Sequence, residues 1–177
     1  MVMELMNGGA LYQLLHSSKE LLWSVRKSIA VNIAVGLSYL HAHNIIHRDL
    51  KSLNVLLDAN NQAKLADFGL SDIKSETQST MTASTSAAGT TRWKAPELFE
   101  RGGRCSEATD IYALGYVLWE ISSRKVPFQD EAHASDATIE NWVRRGERDD
   151  VHSDCPPKYV EIIKKSWAQD PKDRPNS

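Results

Sequence analysis

The feature that most constrains the fold is a pair of short apolar segments joined by a polar turn. Residues 55–58 and 63–66 are the two segments, and residues 59–62, with two consecutive asparagines, lie between them. Asparagine tolerates the backbone dihedral angles of tight turns, so the pattern predicts a β-hairpin. A hairpin brings its two ends together, and the side chains that precede and follow it are therefore expected to lie close to one another.

Acidic and amide side chains occupy those two ends. Asp49 and Asn54 precede the first segment, and Asp67 follows the second, thirteen residues after Asn54. Two carboxylates and an amide are oxygen ligands suited to a hard divalent cation that carries phosphate oxygens. The sequence therefore favours a site for a hard divalent cation and phosphate at this end of the hairpin. The alternative is a hairpin with ordinary surface carboxylates.

Length and charge exclude several classes of protein. The chain has 177 residues, enough for one domain with a core, and a net charge of −2, which gives no sign of a nucleic-acid-binding surface. No apolar run reaches the roughly 18 residues of a membrane span, and no signal peptide is visible at the start. We expect a cytoplasmic, reducing location. Whether Cys105 and Cys155 form a disulfide is left open by the sequence.

Helical periodicity dominates the rest of the chain and predicts a mainly α (α+β) fold. The segment 106–123 is apolar on every side, so it is expected to be the buried core helix, with Leu114 and Leu118 inside. In the helix at 28–43, Ser28 is the expected N-terminal cap. In the last helix, Ile162 is expected on the buried face. The five predicted helices span residues 10–16, 28–43, 106–123, 136–145 and 157–167.

Three motifs together resemble the eukaryotic protein kinases. They are His47-Arg48-Asp49-Leu50-Lys51-Ser52-Leu53-Asn54, Asp67-Phe68-Gly69 and Ala95-Pro96-Glu97. Their order and spacing are similar to those of the kinase catalytic loop, metal-binding motif and substrate-loop end. Lys51 together with Trp93 is similar to the tyrosine-kinase-like group of serine/threonine kinases.

The resemblance implies a protein-kinase-like fold, of which residues 1–177 supply the hinge and the large helical lobe. The small lobe is absent from these residues. They contain no Gly-x-Gly-x-x-Gly loop, no Val-Ala-Ile-Lys strand and no helix with the glutamate that pairs with that lysine. The sequence is thus expected to be a kinase domain truncated at both ends, and inactive on its own.

The resemblance also implies a role for each residue of the catalytic hairpin. Asp49 would accept the proton of the substrate hydroxyl, and Lys51 would neutralise charge on the transferred phosphoryl group. Asn54 and Asp67 would hold Mg²⁺. Thr90 would bridge Asp49 and Lys51.

ATP is the nucleotide that the resemblance implies, and its adenine would be bound at the hinge. Met3 would be the gatekeeper, and the backbone from Glu4 to Met6 would hydrogen-bond the adenine. Leu56 and Phe68 would line the underside of the cleft. The alternative for residues 1–9 is a plain edge strand and turn.

An activation segment is implied at about residues 67–97. Ten of the seventeen residues from Ser75 to Thr91 are serine or threonine, a composition that predicts a flexible loop. A phosphate added there would be able to pair with Arg48.

The remaining family positions are structural. His47 and Gly69 belong to the motifs themselves, and Glu97 would form a buried ion pair with Arg174. Asp110 would anchor the backbone of the catalytic loop. The alternative for Asp110 is a simple favourable charge at a helix N-terminus.

These observations predict a serine/threonine protein kinase that uses ATP and Mg²⁺ and acts on a protein substrate. Two alternatives remain. One is a non-catalytic kinase-like binding module, and the other is a kinase with tyrosine or dual specificity.

Overall fold

The computed structural model of the chain describes residues 4–67, 72–73, 90–129 and 134–176. Within them the fold is mainly helical with two small sheets, so the predicted fold class is confirmed. The helices are α1 (Leu11–Leu15), α2 (Trp23–Ala42), α3 (Glu107–Ser123), α4 (Asp136–Arg144) and α5 (Pro157–Ser166).

The predicted hairpin is present, and a third strand extends it. Strands β3 (Val55–Leu57) and β4 (Ala63–Leu65) pair antiparallel with Val55 opposite Leu65, and β1 (Gly9–Ala10) pairs with β3 on its other edge. The Asp58 carboxylate accepts hydrogen bonds from the backbone N–H groups of residues 60 and 62, which holds the turn. A separate two-stranded sheet pairs β2 (Ile45–Ile46) with β5 (Asp72–Ile73).

Helix α3 forms the centre of the core, as its sequence predicts. Leu114 and Leu118 are both buried. Ser106 caps the helix, because its hydroxyl accepts a hydrogen bond from the backbone N–H of Thr109. A Cβ atom on Gly115 would lie only 2.9 Å from the Cβ of Ser166, so glycine permits the close contact between α3 and α5.

Three sequence-based details of the helices are wrong. Helix α2 begins at Trp23 rather than at residue 28, so Ser28 lies inside the helix and is exposed instead of capping it. The helix starts without a side-chain cap, and Trp23 and Val25 in its first turn pack against the core, so the buried face begins before Ser28. Ile162 is half-exposed, whereas Tyr159 and Ile163 are buried.

Several predictions concern residues that lie outside the described ranges. They are the gatekeeper Met3, the motif residues Phe68 and Gly69, and the flexibility of residues 75–88. In the part of the chain that the structure describes, no helix is both long enough and apolar enough to cross a bilayer.

Arg174 anchors the C-terminal part of the described chain to the core. The fully buried guanidinium of Arg174 bonds both carboxylate oxygens of Glu97, at 2.7 and 2.9 Å. It also donates to the carbonyl oxygens of Ala108, Ala168 and Gln169. This single side chain therefore joins the substrate-loop end, the start of α3 and the segment after α5.

We expect Arg174→Met to lower the free energy of unfolding by about 3–5 kcal/mol, because it leaves the Glu97 carboxylate and several carbonyl oxygens without their donor. Denaturant unfolding followed by circular dichroism measures this loss. The control is Lys165→Met, which removes an exposed ion pair with Glu161. If the two variants lost equal stability, Arg174 would not have this anchoring role.

Candidate active site

Asp110, in the first turn of α3, holds the backbone of residues 47 and 48 in place. One oxygen of Asp110 accepts the N–H of His47 at 2.7 Å, and the other accepts the N–H of Arg48 at 2.9 Å. The His41 imidazole Nε2 lies 2.9 Å from the first of these oxygens. Arg48 has a φ of 71°, in the left-handed region, which these two backbone bonds help to hold. The observed contacts therefore go beyond a helix-dipole interaction.

We expect Asp110→Asn to destabilise the protein by at least about 1–3 kcal/mol, because an amide NH₂ would face a buried donor. Asp136→Asn is the matched control, since Asp136 also lies in the first turn of a helix but is exposed. Its loss of dipole interaction is expected to cost only about 0.3–1 kcal/mol. Thermal unfolding of both variants measures the difference. Equal effects would reduce Asp110 to a simple helix-terminal charge.

His47 lies beneath the same loop and is fully buried. Burial lowers the pKa of its imidazole, although the nearby Asp110 and Asp49 carboxylates oppose that effect. The Asp49 backbone N–H donates to His47 Nδ1 at 3.4 Å. His47 therefore supports the turn that presents Asp49.

The two oxygens of Asp49 lie in different surroundings. Its Oδ2 accepts a hydrogen bond from Asn54 Nδ2 at 2.9 Å and lies 2.8 Å from Lys51 Nζ. Its Oδ1 is buried and accepts no hydrogen bond from the described residues. One oxygen is thus fixed by a cation and an amide, while the other retains its full capacity to accept a proton or a hydrogen bond.

Lys51 connects this carboxylate to Thr90, which belongs to the predicted substrate loop (residues 89–97). Its Nζ donates to Thr90 Oγ1 at 3.0 Å as well as contacting Asp49. The structure therefore brings together the three residues that the sequence groups, with Lys51 between the other two. Thr90 immediately precedes a 3₁₀ turn at Thr91–Trp93.

Asn54 and Asp67 lie at the same end of the hairpin. Asn54 directly precedes β3, and the backbone N–H of Ala66 donates to the Asn54 carbonyl at 2.9 Å. The Asn54 amide nitrogen donates to both the carbonyl and the carboxylate of Asp49. Its amide oxygen accepts no hydrogen bond that the structure records, and the Asp67 side chain is exposed. These oxygen donors fit a Mg²⁺ ion.

The residues predicted to form the hinge, Glu4–Met6, lie near the same sheet, because Glu4 contacts β4. Glu4–Met6 have no regular secondary structure, and Leu5 is 78% exposed. The Glu4 carboxylate pairs with Lys64 of β4 at 2.5 Å. Leu56 is partly buried in the middle of β3. The structure thus places the Glu4 side chain against β4 and Leu56 within β3, the two strands that Asn54 and Asp67 flank.

Sequence reasoning missed two residues that connect the site internally, Glu120 and His41. Glu120 of α3 is fully buried and contacts Ser52 and Trp93, and His41 is buried against Asp110. The available signal for Glu120 was a carboxylate at the end of the apolar stretch that begins at Ile111. His41 gave no comparable signal, because its partner is 69 residues away in the sequence.

The family model described as protein tyrosine and serine/threonine kinase matches residues 1–177. The chain belongs to this family. Kinase membership accounts for the arrangement just described, in which one carboxylate, one lysine and one amide converge at the end of a hairpin.

Curated relatives within the family carry serine/threonine-kinase names. Serine/threonine-protein kinase STY46 of Arabidopsis thaliana is 38% identical over 99% of this chain, and STY17 of the same plant is 37% identical over 99%. A Dictyostelium discoideum protein named as a probable LIM domain-containing serine/threonine-protein kinase is 40% identical over 99%. The chain spans 29%, 30% and 17% of these three relatives, respectively.

Proposed function

We propose that this chain is the hinge and large lobe of a serine/threonine protein kinase, with residues 1–177 forming part of its catalytic domain and about 67–97 its activation segment. The observation that carries the proposal is the asymmetry of Asp49. Oδ2 is held by Lys51 and Asn54, while Oδ1 is buried with no donor among the described residues. A substrate hydroxyl that donates to Oδ1 would complete its hydrogen bonding.

The chemistry follows from that geometry. The hydroxyl proton passes to Asp49 Oδ1 as the hydroxyl oxygen bonds the γ-phosphorus of ATP, and the bond from that phosphorus to ADP breaks. Lys51 Nζ lies within 3.0 Å of both Asp49 and Thr90, so it stabilises negative charge that develops beside them. Mg²⁺, held by Asn54 and Asp67, would neutralise the phosphate oxygens.

Serine/threonine specificity is supported by Thr90, whose hydroxyl receives the Lys51 hydrogen bond, and by the names of the relatives.

Arg48, adjacent to Asp49, is the proposed partner of a phosphate in the activation segment. The proposed partners are ATP and a protein substrate, without nucleic acid, in the cytoplasm.

The test is to incubate the full-length protein that contains this chain with Mg²⁺–ATP and a generic protein substrate, and then to identify the phosphorylated amino acids. Phosphoserine or phosphothreonine supports the proposal. Phosphotyrosine alone would overturn the specificity. Nucleotide binding without any phosphate transfer would favour the non-catalytic kinase-like module instead.

A further inference from the structure

A buried carboxyl group lies behind the catalytic loop and takes no part in the chemistry described above. Glu120 is in the last turns of α3 and is fully buried. Ser52 Oγ lies 2.7 Å from its Oε1, and Trp93 Nε1 donates to its Oε2, also at 2.7 Å. Both partners are themselves buried. Every polar atom of the carboxyl group is therefore engaged.

The two partners come from the two loops that must meet at the substrate hydroxyl. Ser52 lies three residues after Asp49 and opens the 3₁₀ turn Ser52–Asn54. Trp93 closes the 3₁₀ turn Thr91–Trp93, which begins immediately after Thr90. The two loops are thus connected in two ways. Lys51 of the first loop donates directly to Thr90 of the second, and Glu120 bonds both Ser52 of the first and Trp93 of the second.

A carboxyl group in this position is costly to bury, because it has left water for the apolar centre of the core. Burial raises the pKa of Glu120 to about 8, although the hydrogen bonds from Ser52 and Trp93 oppose the shift. The neutral acid keeps both contacts, since one oxygen accepts from the tryptophan and the acid O–H is able to donate to the serine hydroxyl.

We propose that Glu120 is a positioning residue for the protein substrate, because it fixes the catalytic loop and the substrate loop relative to each other through Ser52 and Trp93. The inference rests on the proposed kinase function. The substrate hydroxyl must reach Asp49 while the residues around it rest on the loop that follows Thr90. A shift of about 1 Å between reacting groups lowers rates by about 10²-fold, so a rigid connection between the loops has kinetic value.

The chemistry of Glu120 suggests a set of variants for the full-length protein. Glu120→Gln retains both contacts, because the amide oxygen accepts from Trp93 and the amide NH₂ donates to the Ser52 hydroxyl. Glu120→Met removes both contacts at similar volume. Ser52→Ala and Trp93→Phe each remove one. Ser122→Ala is the matched control, because it deletes a buried hydroxyl of the same helix whose partners are the Trp119 carbonyl and the Cys155 thiol rather than either loop.

In steady-state kinetics, the variants should impair the reaction of the protein substrate without changing the binding of ATP. We expect Glu120→Met to lower kcat/KM for a peptide substrate about tenfold to hundredfold, and each single-contact variant to lower it about two- to tenfold. KM for ATP should stay unchanged, and Glu120→Gln should recover the peptide kinetics. Adding Ser52→Ala or Trp93→Phe to Glu120→Met should produce no further loss, since the contact is already absent.

Amide hydrogen exchange provides a readout that needs no turnover. Trp93→Phe should speed exchange in residues 51–54, and Ser52→Ala should speed it in residues 91–95, while Ser122→Ala does neither. Absence of this cross-effect would overturn the inference.

Two kinetic outcomes would also overturn it while leaving the proposed function intact. In one, the Glu120→Met enzyme unfolds at lower temperature but keeps the wild-type kcat/KM for the peptide. In the other, KM for ATP rises as much as KM for the peptide. A wild-type protein that binds ATP but transfers no phosphate would overturn the proposed function and this inference together.

Discussion

Asp49→Asn is expected to lower kcat for phosphate transfer by about 10²–10⁴-fold in the full-length protein, the contribution of a positioned general base. Asparagine is nearly the same size, and its amide oxygen is still able to accept the Asn54 Nδ2 hydrogen bond that the structure shows at 2.9 Å. The loop should therefore keep its shape and lose only its basic oxygen. Nucleotide affinity, measured by calorimetry with Mg²⁺–ATP, should be almost unchanged.

Asp58→Asn is the matched control for this variant. It makes the same substitution at the turn of the hairpin, where one oxygen accepts the backbone N–H groups of residues 60 and 62 and an amide oxygen would do the same. Activity should remain near that of the wild type. If Asp49→Asn also retained near-wild-type turnover, the assignment of Asp49 as the proton acceptor would be wrong.

Asp67→Asn should act differently, because we propose Asp67 as a ligand of the metal and not as a group that contacts the substrate hydroxyl. Loss of one carboxylate ligand is expected to weaken Mg²⁺-dependent binding of ATP, with little effect on binding of the nucleotide without metal. Magnesium titrations at fixed ATP separate the two effects. An unchanged magnesium dependence would remove Asp67 from the ligand set.

The sequence predicted the hairpin and α3 well, because each depends on strong local signals. Asparagines at the turn and a run of apolar residues around Leu114 leave few alternative structures. The start of α2 was missed because Ser28 is a residue type typical of an N-terminal cap, whereas the helix begins at Trp23 without a side-chain cap, and Val25 continues the apolar spacing of Ile29. The third strand, β1, was missed because its two residues form a strand only by pairing with β3.

The same distinction applies to the site. Asp49, Lys51 and Asn54 lie within six residues of one another, so a sequence motif suffices to group them. Glu120 is 68 residues from Ser52 and 27 from Trp93, and only the packing of α3 against both loops brings them together. Contacts of this kind depend on tertiary structure, and no local pattern encodes them.

The second large effect concerns the 177 residues expressed on their own, which should show negligible kinase activity. In this family ATP lies in a cleft between two lobes, and these residues contain neither a Gly-x-Gly-x-x-Gly loop nor a Val-Ala-Ile-Lys strand to hold its phosphates. In the proposed function, the described residues provide a proton acceptor, a lysine and the metal ligands. Among those residues, none is proposed to cover the phosphates from the opposite side.

Phosphoryl transfer depends almost entirely on positioning and charge stabilisation. Removal of a single preorganised donor from an active site costs about 10²–10³-fold in kcat, so loss of the whole phosphate cradle should cost at least that much. The experiment compares the 177-residue chain with a longer protein that carries the same residues behind a small lobe, and uses Asp49→Asn in each to define the background. Circular dichroism must first show that the shorter chain is folded, so that inactivity reflects the missing cradle. Comparable turnover from the two folded proteins, each abolished by Asp49→Asn, would show that the small lobe is dispensable for catalysis.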